Sequence, residues 1–191
     1  MVWVPLIKRK IVCITGMPGA GKSTVAGVAE LTGFEMINMG NAVREEARRQ
    51  NFELSDANLG KIMLALRKKY GQSAVAELCA DKIRNSNSSY FVIDGIRSTH
   101  EIDVFRKLGT VILISIQASP STRFTFLTSR KRKDAPMDEK SFDERDVREL
   151  RVGIGEAIAL ADFVIANNGI SVEELKRKAE NFLNRVKVEK Q

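Results

Sequence analysis

Eight consecutive residues near the amino terminus constrain this chain more than any others. Gly16, Met17, Pro18, Gly19, Ala20, Gly21, Lys22 and Ser23 satisfy the pattern Gly-x-x-x-x-Gly-Lys-(Ser or Thr) in full. With usual residue frequencies, a chance match in a chain this long is expected about once in a hundred. The context agrees. The apolar, β-branched run Lys10–Thr15 precedes the motif and reads as a buried strand. Gly21–Leu31 follows with apolar residues at helical spacing, so the motif joins a strand to a helix.

Phosphate chemistry asks for these residue types. Glycine adopts positive φ and lets main-chain N–H groups approach phosphate oxygens. A helix N-terminus adds partial positive charge at the same spot. Lys22 then bridges the β- and γ-phosphates of a nucleoside triphosphate, and Ser23 ligates Mg²⁺. The candidate nucleotide-binding set is the motif plus Thr24, with ATP and Mg²⁺ as the implied ligands. The plainer alternative is a glycine-rich turn with no ligand. A loop of this kind names the phosphoryl donor and leaves the acceptor open.

The rest of the chain alternates in the same way. Phe34–Ile37, Tyr90–Asp94, Val111–Ile116 and Asp162–Ala166 are short apolar runs separated by helical patterns. Ser55 caps one such pattern and Ser171 another, while Ser98 and Glu101 have the spacing of a capping box. This alternation predicts a three-layer α/β/α fold of the P-loop NTPase type, with about five parallel strands covered by helices on both faces. The length suits one domain over residues 1–191.

Composition works by exclusion. The apolar runs are too short to span a bilayer, so no membrane is expected. The apolar first seven residues precede Lys8, Arg9 and Lys10, the reverse of a secretory signal. Two cysteines and one histidine build neither a disulfide framework nor a multi-histidine zinc site. A cytoplasmic location is the expectation. Cys13 reads as a small buried residue and His100 as a surface or capping one. The net charge of +7 points to an anionic partner, small or polymeric.

Two segments beyond strand ends look like clamps for such a partner. Gly40 to Arg44 follows the second apolar run, and Asp94 to Arg97 closes the third. Ligands of doubly wound sheets bind outside the carboxyl ends of the strands. Arg44 and Arg97 can each present a planar fork to one phosphate. Asp94 is placed to hold Mg²⁺ through water, alongside Ser23. The plainer alternatives are a solvated Arg44 beside Glu45 and Glu46, and an Arg97 paired with Glu101.

These residues carry a resemblance to the nucleoside monophosphate kinases, adenylate kinase in particular. In that family a Gly-Asp-x-x-Arg segment and then an Asp-Gly-x-x-Arg-like segment follow the phosphate loop. Gly40-Asn41-Ala42-Val43-Arg44 and Asp94-Gly95-Ile96-Arg97 resemble them in order and spacing. Asn41 stands where the family has Asp, and the proline before the second arginine is missing. With Asn58–Gly71, these blocks are similar to an archaeal group of adenylate-kinase-related proteins over roughly residues 10–185.

The resemblance implies an acceptor-binding helical insertion over about 39–87 and a short lid over about 128–150. It implies that Gly40, Arg44 and Arg97 grip an acceptor phosphate, AMP or a related nucleoside monophosphate. It implies that lid arginines, Arg130 and Arg132 first and then Arg145 and Arg148, assist Lys22 at the transferring phosphoryl group. A solvated pair of mixed-charge helices is the alternative for that segment. Ala161 to Gly169 resembles the last strand and loop of dephospho-CoA kinases, which implies that this loop borders the donor adenine. That family carries an acidic pair after the second strand, where this chain has Asn38 and Asn41.

The function expected is therefore ATP-dependent phosphoryl transfer to a small nucleotide-like acceptor. Two alternatives stay open: dephospho-CoA kinase-like activity, and a nucleotide-binding regulatory or RNA-associated ATPase. Nucleic acid is the less favoured partner, since aromatics are only 6% and no RNA-binding module is visible. The oligomeric state is not legible.

Overall fold

The runs at 10–15 and 90–96 become strands whose β-branched side chains suit a pleated surface buried on both faces, while the edge runs at 35–38 and 163–166 stay largely exposed. The computed structural model describes residues 9–129 and 138–188. In chain order these form β1 (Lys10–Thr15), α1 (Lys22–Leu31), β2 (Glu35–Asn38), α2 (Met39–Arg49), α3 (Asp56–Tyr70), α4 (Ala74–Arg84), β3 (Tyr90–Ile96), α5 (Thr99–Arg106), β4 (Thr110–Gln117), α6 (Pro120–Thr128), α7 (Glu139–Val152), α8 (Ile154–Ala159), β5 (Phe163–Ala166) and α9 (Val172–Val188). The strands form one five-stranded sheet in the order β2-β3-β1-β4-β5, parallel throughout.

Side chains alternate between the faces, as a period of two requires. From β1, Ile11 and Cys13 join a core with Met39, Val75, Ile93 and Phe105 beneath α2 to α5. Val12 and Ile14 join the opposite core with Val25, Ile116, Leu175 and Leu183 beneath α1 and α9. The result is the three-layer α/β/α sandwich expected from the alternation. Cys13 is fully buried, and burial pushes its thiol well above the ordinary range, as suits a small packing residue. His100 is exposed on α5. No described helix is long and apolar enough to cross a membrane.

β1 is central, with β3 on one side and β4 on the other. The chain leaves β1 toward one edge and later returns to fill the other. The carboxyl ends of β1 and β3 therefore sit at the crevice where such sheets bind ligands. Asp94 does not end its strand, because β3 continues through Gly95 to Ile96. The register slips there: Ile14 pairs with Asp94, but Thr15 pairs with Ile96. Gly95, at φ 105°, takes up the extra residue. Such a bulge kinks a strand and re-aims its side chains.

Ser55 caps α3 by accepting from the Asn58 N–H, and Ser171 accepts from the Glu174 N–H at the start of α9. The capping box at Ser98 does not form. Ser98 makes no side-chain cap, and the Glu101 carboxylate turns inward to accept from the Arg97 main-chain N–H (2.7 Å) and from Arg67 of α3. Arg67 and Glu101 are a buried ion pair, at 3% and 0% side-chain exposure. Burial alone would make either charge costly, so the pair holds together. It ties the far end of α3 to the turn that carries Arg97.

Candidate functional site

The phosphate loop is shaped by what lies behind it. Gly16 has φ 139°, and a Cβ there would lie 2.2 Å from the Ile116 carbonyl oxygen of β4. Gly19 and Gly21 also have positive φ, at 85° and 105°. A Cβ on Gly21 would meet the Asn167 amide at 2.6 Å. Asn167 is buried and donates from Nδ2 to the Ala20 carbonyl (2.9 Å), so the loop after β5 braces the turn from below. The first turn of α1 then begins at Lys22, with the Thr24 and Val25 N–H groups bonded to the Gly21 carbonyl.

Lys22 folds back over this turn. Its ammonium donates to the Gly16 carbonyl (2.6 Å) and the Met17 carbonyl (3.1 Å). Burial pulls it down from 10.5 to about 8, against the opposing charge of Asp94. The Ser23 hydroxyl lies 3.4 Å from Asp94 Oδ2, which also accepts from Asn38 Nδ2 at 2.8 Å. Asn38 meanwhile caps α2, its Oδ1 accepting from the Asn41 N–H at 3.0 Å. One hydroxyl beside one carboxylate suits a hard cation that completes its shell with water and phosphate oxygens, so the residues fit Mg²⁺.

A cavity of about 610 Å³ opens over this cluster. Pro18, Gly19, Lys22 and Ser23 line one side of it, and Asp94 is among its lining residues. The other side carries Gly40, Arg44, Arg97 and Arg145. Arg44 Nη1 donates to Asn41 Oδ1 at 3.1 Å, so Asn41 helps orient this arginine. Arg97 Nη1 donates to the Gly95 carbonyl (3.2 Å), and its Nε donates to Glu149 of α7 at 2.7 Å. The Glu149 side chain is only 4% exposed. Burial opposes its ionisation, but the charges of Arg97, Arg145 and Arg148 prevail and hold its carboxyl below the ordinary range.

α7 has contacts on three sides. Arg145 and Arg148 both reach Asp56 at the start of α3, at 3.2 Å and 2.7 Å. Asp146 takes a two-toothed ion pair from Arg123 of α6 (2.8 and 2.6 Å), and Arg123 also donates to the Pro18 carbonyl at 3.2 Å. Glu149 holds Arg97. One helix is thus tied to the phosphate loop through Arg123, and directly to Arg97 beyond β3 and to the start of α3.

The structure therefore brings Lys22, Ser23, Asp94, Gly40, Arg44 and Arg97 to one cavity. Arg97 is not paired with Glu101 through its side chain; only its main-chain N–H is. Arg130 and Arg132 lie outside the described residues. Of the second-choice arginines, Arg145 lines the cavity, while Arg148 is turned to Asp56. Sequence reasoning missed Glu149, Asp56, Asp146 and the brace at Asn167. Only the Asn167 position carried a signal, through the motif after the last strand.

Comparison with known proteins gives a family and a fold. A family model described as an AAA domain matches residues 15–143. The UPF0200 protein of Hyperthermus butylicus is 40% identical over 178 residues, which cover 93% of this chain and 95% of that protein. The UPF0200 protein of Thermococcus kodakarensis is 39% identical over 181 residues, 92% of this chain and 97% of its own. Among solved structures, TT1252 from Thermus thermophilus superposes with a TM-score of 0.64 at 18% identity, covering 93% of this chain and 98% of that one. A gluconokinase from Sinorhizobium meliloti gives 0.55 at 18% identity, over 95% and 94% of the two chains. A shikimate kinase from Acinetobacter baumannii, in complex with shikimate, gives 0.56 at 16% identity, over 95% and 96%. At these identities the solved structures establish a shared fold.

Proposed function

The chain belongs to the UPF0200 family and carries an AAA domain, and on that premise we propose that it is a Mg²⁺- and ATP-dependent phosphotransferase with a nucleoside monophosphate, AMP in particular, as its acceptor. The observation that carries this reading is the chemistry of the cavity wall opposite the phosphate loop. Arg44, Arg97 and Arg145 line it, and its two carboxylates are both engaged, Asp94 by Ser23 and Asn38 and Glu149 by Arg97. A hydroxyl acceptor needs a base to take its proton. A phosphate acceptor is already ionised near neutral pH and needs cations instead.

In this reading an oxygen of the acceptor phosphate attacks the γ-phosphorus of ATP. The bond from that phosphorus to the β–γ bridging oxygen breaks, and ADP leaves. The loop amides and Lys22 hold the donor phosphates. Ser23 and Asp94 would hold Mg²⁺, which would supply charge neutralisation at the donor phosphates. Arg44 and Arg97 place the acceptor oxygen in line. Little covalent chemistry remains for the protein, so positioning and charge supply the rate. In this reading the segment 39–87 serves as the acceptor-binding insertion and 128–150 as the lid, whose Arg130 and Arg132 lie outside the described residues. The loop after β5 borders the donor adenine.

A coupled assay with ATP, a panel of nucleoside monophosphates and dephospho-CoA tests the reading. ADP formation dependent on AMP or a related monophosphate is expected. Turnover of dephospho-CoA alone would replace the acceptor with a hydroxyl, and intact ATP binding with no turnover of any acceptor would end the kinase reading.

A further inference from the structure

Of the acids lining the cavity, Asp94 has a part in the reaction proposed above and Glu149 has none. A carboxylate this buried is costly unless its charge is met. Arg97 meets it through Nε, from a position 52 residues away in sequence. The same arginine is fixed at two further points. Its main-chain N–H is bound by Glu101 at 2.7 Å, and Nη1 by the Gly95 carbonyl at 3.2 Å. With Nε and Nη1 both held, the planar fork cannot swing, yet the guanidinium keeps N–H donors to spare in the cavity wall.

We propose that Glu149 is a positioning residue that fixes the Arg97 guanidinium for the acceptor phosphate and makes acceptor binding depend on the docking of α7. The inference rests on the acceptor reading given above. Glu149 shares its helix with Asp146, which reaches the phosphate loop through Arg123, and with Arg145 and Arg148, which reach Asp56 of α3. An undocked α7 releases Nε and leaves the Arg97 head held only through Nη1 at the Gly95 carbonyl, so the fork can swing. Acceptor affinity then falls while the phosphate loop stays formed.

The test is a double-mutant cycle on the full chain, read by calorimetric binding of AMP, with ATP binding and melting temperature followed in the same samples. Glu149→Gln keeps an acceptor atom and drops the charge, and is expected to weaken AMP by about tenfold or more with ATP unchanged. Glu149→Asp keeps the charge but draws it back, and should fall in between. In an Arg97→Ala background, Glu149→Gln should alter AMP binding by less than about twofold, because the residue through which it acts is gone. Losses that multiply across the two positions overturn the inference, as does an unchanged AMP affinity in Glu149→Gln. A general folding defect would lower ATP affinity and melting temperature together, and Glu149→Asp then carries the cycle. If the unaltered chain binds ATP but no AMP, the acceptor reading fails and this inference with it; AMP binding with multiplying losses overturns the inference alone.

Discussion

The two walls of the cavity are made in different ways. On one side, eight contiguous residues turn so tightly against β4 and the loop after β5 that three glycines carry positive φ, and the groups presented are main-chain amides and one lysine. On the other side, Arg97 alone draws on Glu101 of α5, Gly95 of β3 and Glu149 of α7. The first wall is fixed by sterics and tolerates no added atom. The second is fixed by ion pairs between elements far apart in sequence, and shifts when one partner changes. The contrast predicts different responses to comparable changes.

The largest effect is expected at Lys22. Lys22→Ala removes the one side chain that, in the proposed reading, the loop extends to the β- and γ-phosphates. Turnover should fall at least about a thousandfold, near 4 kcal/mol of transition-state stabilisation, with AMP binding retained. A variant with a tenth of normal activity would mean that the loop amides do the work alone.

Next comes a matched pair of glycine substitutions. Gly16→Ala drives Cβ to 2.2 Å from a β4 carbonyl, at a φ that L-residues avoid. Gly60→Ala meets only the Arg148 side chain, with Nε at 2.9 Å. Backbone cannot give way as a side chain can, so about 2–4 kcal/mol of stability should be lost at Gly16 and about 1 at Gly60. Chemical denaturation of both variants measures the gap, and equal losses would erase the distinction between a backbone obstacle and a side chain that can move.

Arg97→Ala should act more narrowly. The acceptor KM is expected to rise about 10- to 100-fold and kcat to fall, while the KM for ATP moves less than about threefold. Steady-state kinetics with each substrate varied in turn decides it. An unchanged acceptor KM would remove Arg97 from the acceptor site.

The same contrast explains what could be read from the chain beforehand. The phosphate loop was legible because its parts are adjacent and their types are dictated by sterics. The three inner strands were legible because each is built on a continuous apolar run. Asp94 and Arg97 were legible as residues beyond a strand end, although not the bulge at Gly95 that lets β3 run on. Glu149 was not legible: it is one acid in a helix crowded with charge, and its burial against Arg97, 52 residues away, comes only with the tertiary fold. Ser98 and Glu101 have the local spacing of a capping box, yet Arg67, 34 residues away, draws Glu101 inward. Local propensity yields wherever a buried charge needs a partner.

The smallest effect is one of proton binding, and it separates the walls by pH. Lys22 is pulled from 10.5 to about 8, first by burial, with Asp94 opposing. An unfolded chain keeps this lysine near its ordinary value of about 10.4. Between pH 8 and that value the unfolded state binds more protons, so this group makes unliganded stability rise with pH there. ATP affinity should move the other way, because bridging phosphates requires the ammonium and they are fully ionised above about pH 7. Affinity should fall above pH 8, approaching tenfold per unit at most, with about half a proton taken up on binding at pH 8. Calorimetry in buffers of different ionisation enthalpy reads that uptake directly, and Lys22→Met should abolish it. The opposite wall should not titrate in this range. Glu149 holds Arg97 even more firmly in its charged form, and the Glu149 carboxyl itself is held below its ordinary range. AMP affinity should therefore stay level from pH 8 to 9.5 while ATP affinity declines, and a parallel decline would mean that the two walls share one titrating group.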